Sequence, residues 1–161
     1  GGAGSATAYA LCRLGVRRLS LFERDAAKAQ ELAEQLGGLF PQTRVEVLSD
    51  DERLIEALLQ AQGLVNATPV GMHVHPGMPL SESALSAGVL REGLWVADVI
   101  YLPQQTQLVR AARAAGCEVL TGGYMAVGQA VDAFRLFTGL EPNAERMAAH
   151  FEALIAAQQG A

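Results

Sequence analysis

Short apolar runs alternate with helix-forming segments from one end of the chain to the other, and this alternation constrains the fold more than any other feature of the sequence. The strand-like runs are Val16 to Glu23, Thr43 to Leu48, Gly63 to Thr68, Leu94 to Ile100 and Cys117 to Leu120. Between them, apolar residues recur at helical spacing, as in Ala29, Leu32, Ala33 and Leu36, or Leu54, Ile55, Leu58 and Leu59. Several strand candidates read as near-continuous apolar segments, as expected of parallel strands covered by helices on both faces. The expected class is therefore α/β with a parallel sheet.

Helix boundaries follow from local chemistry. The first helix covers Ala3 to Leu14, and Gly15 stops it. Asp25 N-caps a second helix running to about Leu36, which Gly37-Gly38 ends. Ser49 or Asp50 caps the third. A short helix covers Ser81 to Leu85, another Gln105 to Ala115, and two closing helices span Gly123 to Phe137 and Asn143 to Gln158, with Asn143 as a cap.

Composition narrows the function classes. With 161 residues, half of them hydrophobic and 18% charged, the chain suits one folded domain. A net charge of −5 argues against a basic face for nucleic acid. No apolar run approaches the roughly 18 residues of a membrane span. Cys12 and Cys117 form no CxxC pair, which fits a reducing cytoplasm. Of the 12 basic residues only Lys28 is a lysine, so any lysine-dependent chemistry uses Lys28 or lies outside these residues.

Four constellations carry chemistry. The first is Gly1-Gly2-Ala3-Gly4 at a helix start, where Gly1 and Gly4 fit the second and third glycines of a GxGxxG pyrophosphate turn. Glu23 follows Gly4 by 19 positions at the end of the next strand, where a carboxylate binds the adenosine ribose. The second is Asn66-Ala67-Thr68-Pro69 with Gly71-Met72, at the strand end where open parallel sheets bind ligands. Third is Asp98-Val99-Ile100-Tyr101-Leu102-Pro103, in which Tyr101 offers a donor and Asp98 can cap or orient the turn. The fourth is Gly122-Gly123-Tyr124-Met125 leading to Gln129, with Met125 and Gln129 on one helix face. His73 and His75 form an HxH pair in a Gly/Pro loop that no cluster completes as a metal site. No GxSxG nucleophile elbow occurs.

In that order, the motifs resemble the C-terminal nucleotide-binding domain of the shikimate/quinate dehydrogenase family across essentially the whole chain. His75-Pro76-Gly77 and the stretch from Gln129 to Pro142 bring it nearest to the bifunctional quinate/shikimate dehydrogenases. The resemblance implies a Rossmann-like doubly wound sheet and a reversible hydride transfer between a nicotinamide cofactor and C3 of shikimate or quinate. It also implies an N-terminal domain that binds substrate and supplies a Lys–Asp acid/base pair. On this reading the chain begins within the cofactor turn and lacks the first, central strand of a 3-2-1-4-5-6 sheet. The 161 residues alone are then expected to be inactive and prone to aggregate.

The resemblance gives the cofactor Gly1, Gly2, Ala3 and Gly4, then Glu23 and Arg24, then Asn66, Thr68, Pro69 and Val99, and finally Gly123 and Met125. Tyr101 and Gln129 fall to the substrate, and no residue of this chain is catalytic. Members that use NADP carry Asn-Arg-Thr followed by a basic residue, whereas this chain has Glu23-Arg24-Asp25 and Lys28. A carboxylate at Glu23 repels a 2′-phosphate, so NAD is the expected cofactor, with NADP use through Arg24 left open. Thr121 and Gly128 also depart from the family pattern and leave the substrate preference undecided. The alternatives are an NADPH-specific biosynthetic shikimate dehydrogenase and a non-catalytic nucleotide-binding fragment. A homodimer of the intact enzyme is compatible with the reading; a nucleic-acid or membrane partner is not.

Overall fold

The computed structural model describes residues 1–159. It holds five short strands and seven helices in the order α1 (Gly2–Arg13), β1 (Arg18–Leu21), α2 (Ala26–Leu39), β2 (Arg44–Val47), α3 (Asp51–Gln60), β3 (Gly63–Asn66), α4 (Glu82–Ser86), β4 (Trp95–Asp98), α5 (Gln107–Ala114), β5 (Glu118–Thr121), α6 (Gly122–Thr138) and α7 (Ala144–Gln159). Every strand pairing is parallel, which bears out the α/β expectation.

Pairing splits the strands into two sheets, β1-β2 and β3-β4-β5, with no ladder between β1 and β3. The two sheets match the 3-2 and 4-5-6 parts of the strand order expected for a doubly wound sheet. The apolar core divides in the same way. Leu54, Leu58, Val89, Leu94, Val96, Leu108 and Ala112 pack around the three-stranded sheet. Ala8, Cys12 and Leu36, with Leu19, Leu21 and Val45, pack around the other. Burial tracks neighbours: β4, paired on both sides, is the most buried strand, whereas β1 and β2 are only half-buried.

Local signals set the helix starts. The Asp25 carboxylate accepts from the Lys28 amide, Asp50 from Arg53, Thr106 from Val109 and Asn143 from Arg146. Asp50 rather than Ser49 thus caps α3, and α5 starts after Thr106 rather than at Gln105. One stop was misplaced. Helix α2 runs through Gly37-Gly38 to Leu39, because Leu36 is buried in the smaller core and Phe40 packs beside it, closing the helix with a bond to the Leu36 carbonyl. Tertiary packing there outweighs about 1 kcal/mol per glycine of helix propensity. At the other end of the fold, Gly139 closes α6 in the left-handed region, with φ +68°.

Candidate functional site at the strand ends

Parallel pairing brings the carboxyl ends of β3, β4 and β5 level, with Asn66 opposite Asp98 and Asp98 opposite Thr121. The turns that leave these ends carry the second, third and fourth constellations. Asn66, Asp98 and Thr106 are all buried, and they satisfy one another. Asn66 Nδ2 donates to Asp98 Oδ1 at 3.1 Å and to the Val70 carbonyl at 3.1 Å. Its Oδ1 accepts from the Thr68 amide at 3.1 Å and the Thr68 hydroxyl at 2.7 Å. Asp98 Oδ1 accepts from the Ile100 amide at 3.1 Å, and Oδ2 accepts from Thr106 Oγ1 at 2.7 Å. Burial pushes the Asp98 carboxyl above the ordinary carboxylate range, and its three donors pull it back only in part.

Two helices point their N-termini at this edge. Helix α1 starts at Gly2 with Gly1 as N-cap, and no side chain satisfies its first amides. A Cβ on Gly1 or Gly2 would meet nothing within 4 Å, so no side chain crowds the first turn. A Cβ on Gly4 would lie 3.7 Å from Ala67, which sets this helix start against the Asn66–Thr68 turn. Free amides with room in front of them suit a pyrophosphate. Helix α6 approaches the Asp98–Tyr101 turn so closely that a Cβ on Gly122 would lie 2.3 Å from the Val99 carbonyl oxygen. A Cβ on Gly123 would meet Phe151 at 3.0 Å and Gln104 at 3.1 Å. Tyr101 is half exposed, with its ring 6.5 Å from Phe151.

The fold thus sets Gly4 against the Asn66–Thr68 turn and Gly122 against Val99, while Gly123 and Tyr101 both meet Phe151. Met125, one turn from Gly122 on α6, is half-buried, and Gln129 is exposed one turn further on. Glu23 and Arg24 stand apart, exposed after β1 on the other sheet, where Glu23 Oε1 accepts from the Asp25 amide at 3.4 Å. Lys28 lies on the first turn of α2, 3.2 Å from the Asp25 carboxylate. His73 and His75 belong to a tight reversal in which the Gly71 amide donates to the His75 carbonyl, and their side chains are exposed. A cleft of about 170 Å³ lies between this reversal and the start of α5, lined in part by Met72, Pro103 and Arg110. The larger hollow, about 410 Å³, sits between β2 and α3 and touches none of the residues expected at the site.

Sequence reasoning left Asp98 among alternatives, gave Gly122 only as part of a glycine-led helix start, and brought neither Gln104 nor Phe151 to the site. Asp98 had a usable signal, since Asn66 and Asp98 each close an apolar strand with a polar side chain. Gln104 and Phe151 had none, because their contacts with Gly123 exist only once α6 and α7 are docked.

A family profile described as "Shikimate 5'-dehydrogenase C-terminal domain" matches residues 124–150. Across 159 residues the chain is 55% identical to a shikimate dehydrogenase (NADP(+)) of Arthrobacter sp. (strain FB24), covering 99% of this chain and 52% of that relative. It is 47% identical over 154 residues to a quinate/shikimate dehydrogenase (NAD(+)) of Corynebacterium efficiens, covering 96% of this chain and 52% of that one. Among solved structures, quinate dehydrogenase from Corynebacterium glutamicum in complex with NAD superposes with a TM-score of 0.85 at 44% identity, covering 95% of this chain and 52% of the other. The two sheets, the glycine-led helix and the polar strand ends therefore have a known setting: over nearly its whole length the chain matches members of the shikimate/quinate dehydrogenase family, and it spans about half the length of the curated relatives it matches.

Proposed function

We propose that this chain supplies the cofactor-binding part of an NAD(P)-dependent oxidoreductase that interconverts shikimate or quinate with the corresponding 3-dehydro acid. The observation that carries the reading is the glycine-led start of α1, set against the Asn66–Thr68 turn at the carboxyl end of a parallel sheet. The first amides of α1 would hold the pyrophosphate, and Glu23 would accept from the adenosine ribose hydroxyls. When bound, a nicotinamide cofactor supplies the hydride donor or acceptor. Thr68, Pro69, Val99, Gly123 and Met125 would hold its nicotinamide end and exclude water. Tyr101 and Gln129 would orient a polyhydroxylated cyclic acid by hydrogen bonds.

Acid/base chemistry is assigned to a Lys–Asp pair in an N-terminal domain outside these residues. Lys28 does not fit the role, since it pairs with Asp25 on α2 at the ribose end. The names of the relatives divide between NADP(+) and NAD(+). Glu23 favours NAD here, because a 2′-phosphate carries about −1.5 to −2 charge beside a carboxylate. The described residues contain no helix long and apolar enough to cross a membrane, and the buried free thiols of Cys12 and Cys117 fit a cytoplasmic enzyme.

Steady-state kinetics of the gene product that carries this chain test the reading. Oxidation of shikimate or quinate with NAD preferred is expected, with Glu23→Ala moving the preference toward NADP. Tyr101→Phe and Gln129→Ala should raise KM for the cyclic acid more than KM for NAD. Absence of turnover with either acid overturns the function, and a strong wild-type preference for NADP overturns the role of Glu23.

A further inference from the structure

We propose that Asp98 is a positioning residue that holds the turn carrying Thr68 against the turn carrying Tyr101. The inference rests on the site reading above. Asp98 is only 2% exposed, so its carboxylate meets the protein rather than a ligand. It is the junction of three segments: Asn66 at the end of β3, Ile100 in its own turn, and Thr106 at the start of α5.

The two strand ends are built alike. Asn66 Oδ1 takes the amide two residues on, at Thr68, and Asp98 Oδ1 takes the amide two residues on, at Ile100. Each side chain thereby bends the chain out of its strand. The bond between Asn66 Nδ2 and Asp98 Oδ1 ties the two bends together. Asn66 has no freedom to move alone, since Nδ2 also donates to the Val70 carbonyl and Oδ1 also accepts from the Thr68 hydroxyl. On the far side, Thr106 Oγ1 already accepts from the Val109 amide, so its own proton is committed to Asp98.

All three groups facing Asp98 are therefore donors, and only a carboxylate accepts on both oxygens. An amide of the same shape turns Nδ2 toward the Thr106 hydroxyl, which must then accept and loses its donation to Asp98. It also removes the charge that makes such bonds roughly twice as strong as neutral ones. The geometry between Thr68 and Tyr101 is then set by a group that touches neither cofactor nor substrate.

The test uses Asp98→Asn in the full gene product, with amide hydrogen exchange and kinetics measured together. Exchange at Thr68 and Ile100 is expected to quicken about tenfold and kcat to fall about tenfold, with KM for NAD changed less than threefold. Thr106→Val should act in the same direction and Thr106→Ser should restore wild-type behaviour, so the idea stays testable if Asp98→Asn folds poorly. Asp98→Asn combined with Thr68→Ala should be no worse than the poorer single variant. Unchanged exchange at Thr68 overturns the proposal whether or not the enzyme reading stands. Faster exchange with kcat intact, while Thr68→Ala is impaired, also overturns it. If instead Thr68→Ala and Tyr101→Phe both leave kcat/KM unchanged, the site reading fails.

Discussion

Replacing Gly122 by alanine asks how tightly the start of α6 is seated on the β4 turn. The added methyl would sit 2.3 Å from the Val99 carbonyl oxygen and 2.6 Å from the Ile100 carbonyl carbon. Carbon–oxygen contacts normally close no nearer than about 3.3 Å, so α6 must retreat by about 1 Å. The obstacle is backbone and cannot rotate away. Overpacking of this kind costs about 1–3 kcal/mol, against a gain of up to about 1 kcal/mol for alanine over glycine in a helix. Gly128 lies on the same helix with nothing within 4 Å of its Cβ position, so Gly128→Ala collects the gain without the clash. The pair should differ by the clash alone, about 1–3 kcal/mol, with opposite signs once the clash exceeds the helix gain. At roughly 2–4 °C per kcal/mol for a chain of this size, Gly122→Ala melts several degrees lower and Gly128→Ala slightly higher. A 1 Å displacement near a reaction centre costs up to about 100-fold, so kcat of the gene product should fall for Gly122→Ala alone. The readouts are thermal melting followed by circular dichroism and steady-state turnover. If Gly122→Ala melts at or above wild type with full turnover, the close approach of α6 to Val99 is not a constraint and the reasoning fails.

Arg91 should matter more than a surface arginine. Its guanidinium donates to the carbonyls of Leu58 at 3.1 Å, Val89 at 3.0 Å and Ala61 at 2.8 Å, closing the end of α3. Arg91→Met keeps the stem but orphans these acceptors, and should cost about 2–3 kcal/mol in urea denaturation; a loss under about 0.5 kcal/mol would refute that role. Asp50 gives a pH-dependent prediction. The Ser49 hydroxyl and the Arg53 amide hold its carboxyl below the ordinary range. Its folded pKa is lower than its unfolded pKa, so its stabilisation is present above about pH 4 and is lost as pH falls through the folded value. Melting curves of Asp50→Asn between pH 7 and 2 should show less acid destabilisation than wild type, and identical pH dependence would refute the assignment.

The features legible in the sequence were those set within a few residues. Asp25, Asp50 and Asn143 cap their helices through bonds to the amide three residues on, and such bonds need no tertiary partner. The strand positions were legible for a similar reason, since short β-branched and leucine-rich runs between helical patterns have few other solutions. Thr68 and Tyr101 were legible as candidates because a polar group just past an apolar strand falls at the ligand-bearing edge of a parallel sheet. The stop at Gly37-Gly38 was misread because the packing of Leu36 and Phe40, not local propensity, decides where α2 ends.

What the sequence determined by itself was the α/β class, the order of its elements and most helix starts. Three matters were left to the tertiary structure. Register places Asn66 opposite Asp98 across 32 positions of chain, and nothing local sets that pairing. Docking of α6 brings Gly122 to the Val99 carbonyl and makes that glycine a matter of space rather than flexibility. Edge pairing divides the strands into β1-β2 and β3-β4-β5, each with its own apolar core. Parallel strands are joined by long crossovers, so their register and neighbours are fixed by side-chain packing between distant segments, which local periodicity does not encode.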